Sequence, residues 1–260
     1  MNRIFLDVMQ CSVLLLPLSL ACRSKKAVPN MPIDPKLLCN IALFEGLNPD
    51  QLAFVAGRAR QRTYKAEEAI LHQDDPGETL YIVLSGIVKI SMVGTDGNEV
   101  FLAVLAAGEN FGELSLIDSQ FRSADVITQE ETTLLSIDRT TFNDLIATVP
   151  AFSMNMLRIL AHRTRRANVR IHAHCTLDVF GLVARQLLEF SELYGVAQPD
   201  KSVLIPIRLT QGDIGDLVGA SRERVNQVMG HFREKKMISV DPKTYRITIY
   251  KPEELRKRLQ

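Results

Sequence analysis

Apolar residues along this chain keep two different periods, and the change near residue 150 divides it. From residue 58 to 138 they come in short runs cut by turn residues. DDPGE (74–78) precedes LYIVLSG (80–86) and IVKISMV (87–93), then the turn GTDGNE (94–99), then VFLAVLAAGE (100–109). ADVITQEETTLLSID (124–138) supplies two more runs. Short strands at this spacing predict an all-β sandwich or jelly roll over about residues 31–150.

After Pro150 the period becomes helical. Met156, Leu160, Thr164, Ala167, Ile171 and His174 recur at steps of three and four, a stripe of the coiled-coil type, with Arg158, Arg163, Arg165, Arg166 and Arg170 mostly beside it. The spacing predicts one long helix over 151–176 that pairs with a second copy. Residues 177–195 read as a further helix with Leu182, Val183, Leu187, Leu188 and Phe190 as core.

The stretch 209–250 has helix-turn-helix grammar. Thr210 can cap a helix carrying Ile214, Leu217 and Val218, Gly219 and Ala220 make a tight turn, and Ser221 caps a second helix. Val225, Val228, Met229 and Phe232 follow i, i+3, i+4, i+7, which turns Arg222, Glu223, Asn226 and Gln227 outward. MISVD and YRITIY, joined at DPKT, predict a two-stranded wing. The expected fold is therefore α+β: roll, long helix, and a winged helix-turn-helix over 177–260.

Charge sharpens this division. The net formal charge of the 260 residues is +1, yet from Lys201 onward 13 Lys and Arg face 7 Asp and Glu. The excess of cations in that segment is the footprint of a phosphate-backbone binder. Length suffices for two domains with separate cores.

Enzyme and metal classes find no support. There is no GxxxxGK loop, nucleophile elbow or paired metal ligand set. A cupin-type roll enzyme needs converging histidines, and His72 is the only one between residues 58 and 150. Cys11, Cys22, Cys39 and Cys175 have no CxxC spacing, and His172 and His174 lie two apart, so neither reads as a metal site.

Residues 1–30 do not match the rest. Val13–Ala21 is apolar but too short to span a bilayer, is broken by Pro17, and is signal-like only in outline. The expectation is an upstream misreading of the start or a disordered extension, with a cytoplasmic protein beginning near Met31.

FGELSLIDSQFRSA (111–124) carries the most chemistry. Gly112 permits close approach of backbone N–H groups to an anion, and Glu113, Leu114, Ser115 and Leu116 can open a short helix whose N-terminus favours negative charge. Arg122 adds a charged fork, Ser123 a hydroxyl, and Glu113 an acceptor for sugar hydroxyls. Gly112, Glu113, Leu114, Arg122, Ser123 and Ala124 resemble the phosphate-binding cassette of cyclic-nucleotide-binding domains, especially those of the catabolite activator or cyclic AMP receptor (CRP/FNR) regulators. That resemblance, extending over about residues 33–250, implies a homodimeric transcription regulator controlled by a cyclic nucleotide. It also implies turns of positive φ at Gly77, Gly86, Gly97 and Gly108.

In the resembling proteins two neighbouring hydroxyl residues on the long helix, one from each subunit, contact adenine. Counting back from Leu177-Asp178-Val179 places Ala167 and Asn168 there, a departure that leaves the base less secure than the phosphate. Cyclic AMP is the first candidate, followed by cyclic GMP or a cyclic dinucleotide. Oxygen-sensing relatives carry an N-terminal cysteine cluster with another spacing.

SRERVNQVM resembles the family's recognition helix. Carried over, Arg222 reads guanine and Glu223 cytosine, Gln227 stands where the family has a further arginine, and Ser221 and Arg224 contact phosphates. The implied partners are a pseudo-palindromic operator in double-stranded DNA, a second copy of the chain, and RNA polymerase, with no membrane and no metal. Two rivals are a family regulator that binds DNA without a nucleotide and a membrane-tethered signalling module.

Overall fold

A computed structural model describes residues 33–94, 97 and 99–259 of the chain; the N-terminal extension, with its apolar run, lies outside the described residues. Residues Pro49–Arg58 form α1, whose start is fixed by a capping box in which Asn48 and Gln51 exchange side-chain and backbone hydrogen bonds. The roll follows as β1 (Arg60–Tyr64), β2 (Ala69–Leu71), β3 (Thr79–Ser85), β4 (Ile87–Val93), β5 (Glu99–Ala106) and β6 (Asn110–Phe111). A short helix α2 (Leu114–Asp118) then leads into β7 (Asp125–Thr128) and β8 (Thr132–Asp138).

These strands make two antiparallel four-stranded sheets, β1-β8-β3-β6 and β2-β7-β4-β5. Alternate residues of β3 (Leu80, Ile82) and β8 (Leu135, Ile137) pack on the helices, while Val83, Val88, Leu105, Val126 and Leu134 fill the roll. The expected strands are all present. Gly86, Gly97 and Gly108 have φ of +88°, +78° and +92°. Gly77 differs from expectation: it is not left-handed, and its lack of a side chain matters because a Cβ there would lie 2.2 Å from Ser115 Cβ.

Asp138 accepts from Thr141 N at 2.8 Å and starts α3 (Arg139–Thr148). The long helix α4 (Pro150–Thr176) begins one residue before the expected start, with proline in its first turn where no N–H is missed. Phe44, Phe142 and Phe152 cluster where α3 and α4 close the roll. Further along, α4 also turns apolar side chains outward: Leu157 and Ile171 are 60% and 63% exposed.

Asp178 caps α5 (Val179–Tyr194), and its expected core residues are all buried. Strands β9 (Val196–Ala197) and β10 (Val203–Ile205) precede α6 (Gln211–Val218) and α7 (Arg222–Glu234), and β11 (Ile238–Val240) with β12 (Ile247–Ile249) follow. The second domain's sheet has the order β11-β12-β10-β9, so the wing is two strands wider than the sequence reading had it. Helix α8 (Pro252–Arg256) packs on α5.

The turn between α6 and α7 is tight because two glycines allow it. Gly219 has φ +64°, and a Cβ on Gly215 would sit 2.7 Å from the Ala220 carbonyl. Val225, Val228, Met229 and Phe232 are buried as their spacing predicts. The reader is also fastened to the roll. Ile87, Phe101 and Val104 share its core, Phe101 N donates to Asp216 Oδ2 at 3.2 Å, and Lys89 Nζ lies 3.3 Å from Asp213 Oδ1.

Candidate effector cavity and nucleic-acid interface

The segment after β6 turns at Gly112, whose φ of +82° and missing Cβ bring the chain against Arg122. Arg122 is 4% exposed; its Nη1 donates to Gly112 O at 2.7 Å and its Nη2 to Thr79 O at 2.8 Å. Burial holds its guanidinium pKa below the ordinary arginine value, an effect that Glu113 and Glu78 oppose. Its Nε is buried with no hydrogen-bond partner among the described residues. A buried orphan donor beside a glycine turn and a helix start fits an anion.

Arg139, which the sequence reading did not single out, pins this cassette from behind. Its guanidinium donates to the carbonyls of Gly77 (2.6 Å), Ser115 (3.1 Å) and Leu116 (3.4 Å), and its Nε to Glu78 at 2.8 Å. Two of those carbonyls belong to α2, which is too short to satisfy them itself, and the third ties it to the turn before β3.

Glu113 is 2% exposed and carries two partners, Asn110 Nδ2 at 2.9 Å and Arg163 Nη1 at 2.6 Å. Arg163 also donates to the Asn110 carbonyl. A carboxylate has room for about four hydrogen bonds, so Glu113 can still accept from a sugar hydroxyl. Arg163, which the helical period sets beside the stripe, belongs to the site. The signal for it was present, since 163, 166/167 and 170/171 share a helical face.

The cavity bounded by these groups has a volume of about 640 Å³ and is lined by Gly112, Glu113, Leu114, Arg122, Ser123, Ala124 and Ala167, among others. Asn168 is exposed and stands outside this lining. Ser123 is exposed at the rim and Leu114 half-exposed.

In the second domain Thr210 and Asp213 form a capping box at the start of α6, and Ser221 accepts from Arg224 N at 3.3 Å to start α7. Arg222, Glu223, Asn226 and Gln227 lie exposed on one face. Glu223's own backbone N–H and the Ser221 hydroxyl hold its carboxyl below the usual carboxylate range, keeping it an acceptor. Asn226 Oδ1 accepts from Gln211 Nε2 at 3.0 Å, and Arg224 Nη1 donates to Gln227 Oε1 at 3.0 Å. A cleft between α7 and the wing is lined by Arg208, Arg222 and Arg233 with Tyr245. Neither Arg208 nor Arg233 was singled out by the sequence pattern: Arg208 precedes α6, and Arg233 sits in the last turn of α7, past the outward residues of its first turns.

The pattern of the cyclic nucleotide-binding domain matches residues 61–149, and that of the Crp-like helix-turn-helix domain residues 183–258. A CRP-like cAMP-activated global transcriptional regulator of Mycobacterium tuberculosis is 33% identical over 213 residues, covering 82% of this chain and 95% of that protein. The chain belongs to the CRP/FNR family of transcription regulators.

Another CRP/FNR relative, the cyclic AMP receptor protein of Thermus thermophilus, is 31% identical over 205 residues, covering 79% of this chain and 91% of that protein. Among solved structures, FixK2 from Bradyrhizobium japonicum superposes with a TM-score of 0.67 at 20% identity, covering 77% of this chain and 96% of that chain. The c-di-GMP responsive regulator CLP of Xanthomonas campestris gives 0.66 at 22%, covering 78% and 99%. At those identities the structures speak for the fold. The protein is a DNA-binding regulator with a cyclic nucleotide-binding domain, and is not an enzyme. Among the described residues, no group of three or more His, Cys, Asp or Glu is placed to hold a metal ion, and no single helix is long and apolar enough to cross a membrane.

Proposed function

We propose that two copies of the chain pair along α4 and bind a pseudo-palindromic operator with α7 in successive major grooves, under control of a cyclic mononucleotide. The observation that carries the effector reading is the orphan Nε of Arg122 beside the Gly112 turn, within a cavity that also holds Glu113. The phosphate sits at Gly112, Arg122 and Ser123, and the sugar at Glu113 and Leu114. The base runs toward Ala167, with Asn168 facing the second copy.

Likeness to relatives named as cAMP-activated supports cyclic AMP as the first candidate, ahead of cyclic GMP and cyclic di-GMP. Pairing is supported by the exposed apolar residues Leu157, Val169 and Ile171 on a 27-residue helix. Base reading falls to Arg222, Glu223, Asn226 and Gln227, and backbone contacts to Thr210, Ser221 and Arg224. The complex works in the cytoplasm, with RNA polymerase as a further partner.

Calorimetric titration with the three nucleotides, followed by operator binding with and without the tightest, tests this. Saturable binding that raises operator affinity is expected; no heat with any of them removes the effector.

One observation favours a second reading, DNA binding without an effector. The two Nη groups of Arg122 are already satisfied by Thr79 and Gly112 carbonyls. Arg122→Leu separates the two: operator binding unaltered by both the substitution and added nucleotide supports the ligand-free regulator.

A further inference from the structure

The far end of the effector cavity holds donors that neither the phosphate nor the sugar uses. Arg163, Arg166 and Arg170 stand at i, i+3 and i+7 on α4 and all line the cavity, with Ala167 between them. Arg163 is committed to Glu113. Arg166 donates through Nε and Nη2 to Glu189 Oε1 at 3.2 and 2.9 Å, and Arg170 donates through Nη2 to the same oxygen at 3.3 Å. Arg170 Nη1 reaches Leu102 O at 3.3 Å. One carboxylate oxygen thus serves two guanidiniums. Arg170 Nε is buried with no partner among the described residues. Leu102 and Val104 of β5 line the same end and supply apolar surface for a flat ring.

A ligand with its phosphate at Gly112 and its sugar at Glu113 lays its base along this file of arginines. Resting on the cyclic-nucleotide reading, and reversing the order that likeness to cAMP-activated relatives gives, we propose that Arg166 and Arg170 read the edge of the base and favour guanine over adenine. Guanine presents O6 and N7 side by side, two acceptors that match a guanidinium fork, whereas adenine replaces O6 with an amino donor. A hydroxyl rotates to suit either edge; a guanidinium carries donors only. Ala167, between the two arginines, adds no side-chain hydrogen bond of its own. Glu189 is a positioning residue, since it aims both forks from α5 and offsets one of their two charges.

The test is calorimetric titration of the full chain with cyclic AMP, cyclic GMP and cyclic IMP, which keeps O6 and N7 but lacks guanine's amino group. Cyclic GMP and cyclic IMP are expected to bind within threefold of each other and about tenfold tighter than cyclic AMP, as one bidentate arginine contact allows. Arg170→Lys keeps a cation for Glu189 but removes the fork. It is expected to lose about tenfold for cyclic GMP and cyclic IMP while leaving cyclic AMP within about threefold. Tighter binding of cyclic AMP by the unaltered protein overturns the proposal and leaves the effector reading standing. So does an equal loss for all three nucleotides in Arg170→Lys. If the unaltered protein binds none of the three, the effector reading itself falls and this inference with it.

Discussion

Tyr194, the last residue of α5, sets its hydroxyl 3.0 Å from Glu109 Oε2 and 2.9 Å from Val104 O, one proton between two acceptors, which joins the DNA-binding domain to the turn that leads into the effector cassette. Glu109 lines the effector cavity and also the cleft between roll and reader. Burial, then the Glu109 carboxylate, raises the phenol pKa well above its ordinary 10.0. A raised folded-state pKa contributes stability that is complete below pH 10.0 and is lost as the pH rises through the folded value. Tyr194→Phe is expected to cost about 1–2 kcal/mol, measured by denaturant unfolding, and to reduce the effect of nucleotide on operator affinity. A double-mutant cycle with Glu109→Gln should return a coupling energy well away from zero.

Gly77 and Gly112 should not tolerate a methyl group. At Gly77 it would meet Ser115 Cβ at 2.2 Å, and at Gly112, held at φ +82°, Arg122 Nη1 at 2.7 Å. Alanine at either position is expected to weaken nucleotide binding and to lower stability by about 1 kcal/mol or more. Gly57, exposed near the end of α1 with open space around it, is the contrast. Gly57→Ala should raise stability by about 0.4–1 kcal/mol, read as a higher melting temperature.

Asp138 holds the start of α3 through Thr141, whose N–H and hydroxyl lower its carboxyl pKa below 3.8. A depressed carboxylate stabilises above its unfolded value, and that contribution disappears as the pH falls below 3.8. Asp138→Ala is expected to cost about 0.5–1 kcal/mol at pH 7, the lower part of the capping range because the side chain is exposed. The difference between the two proteins should shrink toward zero in acid.

On DNA, Arg222 and Arg208 should separate by kind of contact. Removing Arg222, exposed on the outer face of α7, is expected to cost about 1–3 kcal/mol at the preferred operator and to relax preference at one base pair. Arg208→Ala, at the cleft beside the wing, should weaken all sequences alike and lower the salt slope by about 1. Fluorescence anisotropy at several salt concentrations distinguishes them.

The strands of the roll and both helices of the reader were legible because their periods are clean and the helix caps fall where Thr210 and Ser221 stand. The wing strands β9 and β10, two and three residues long, carry too few alternations to register. The cassette residues were legible by composition, but not their commitments. Nothing local tells that Arg122 will donate to Thr79, 43 positions away in sequence, or that Arg163 will cross 50 positions to Glu113. Arg139 went unseen for the same reason: it works on carbonyls, which every sequence has everywhere. The glycines divide likewise, since positive φ is a local demand, while Gly77 answers to Ser115 from a distant segment.

The β4–β5 hairpin shows one side to the cavity through Ile90 and Leu102 and the other to α6 through Lys89 and Phe101. The cavity and the docking of the DNA-binding domain are therefore separated by the thickness of one ribbon, between side chains that are neighbours in sequence. A substitution on the cavity side of the hairpin can reshape the pocket and leave the contacts on its reverse untouched.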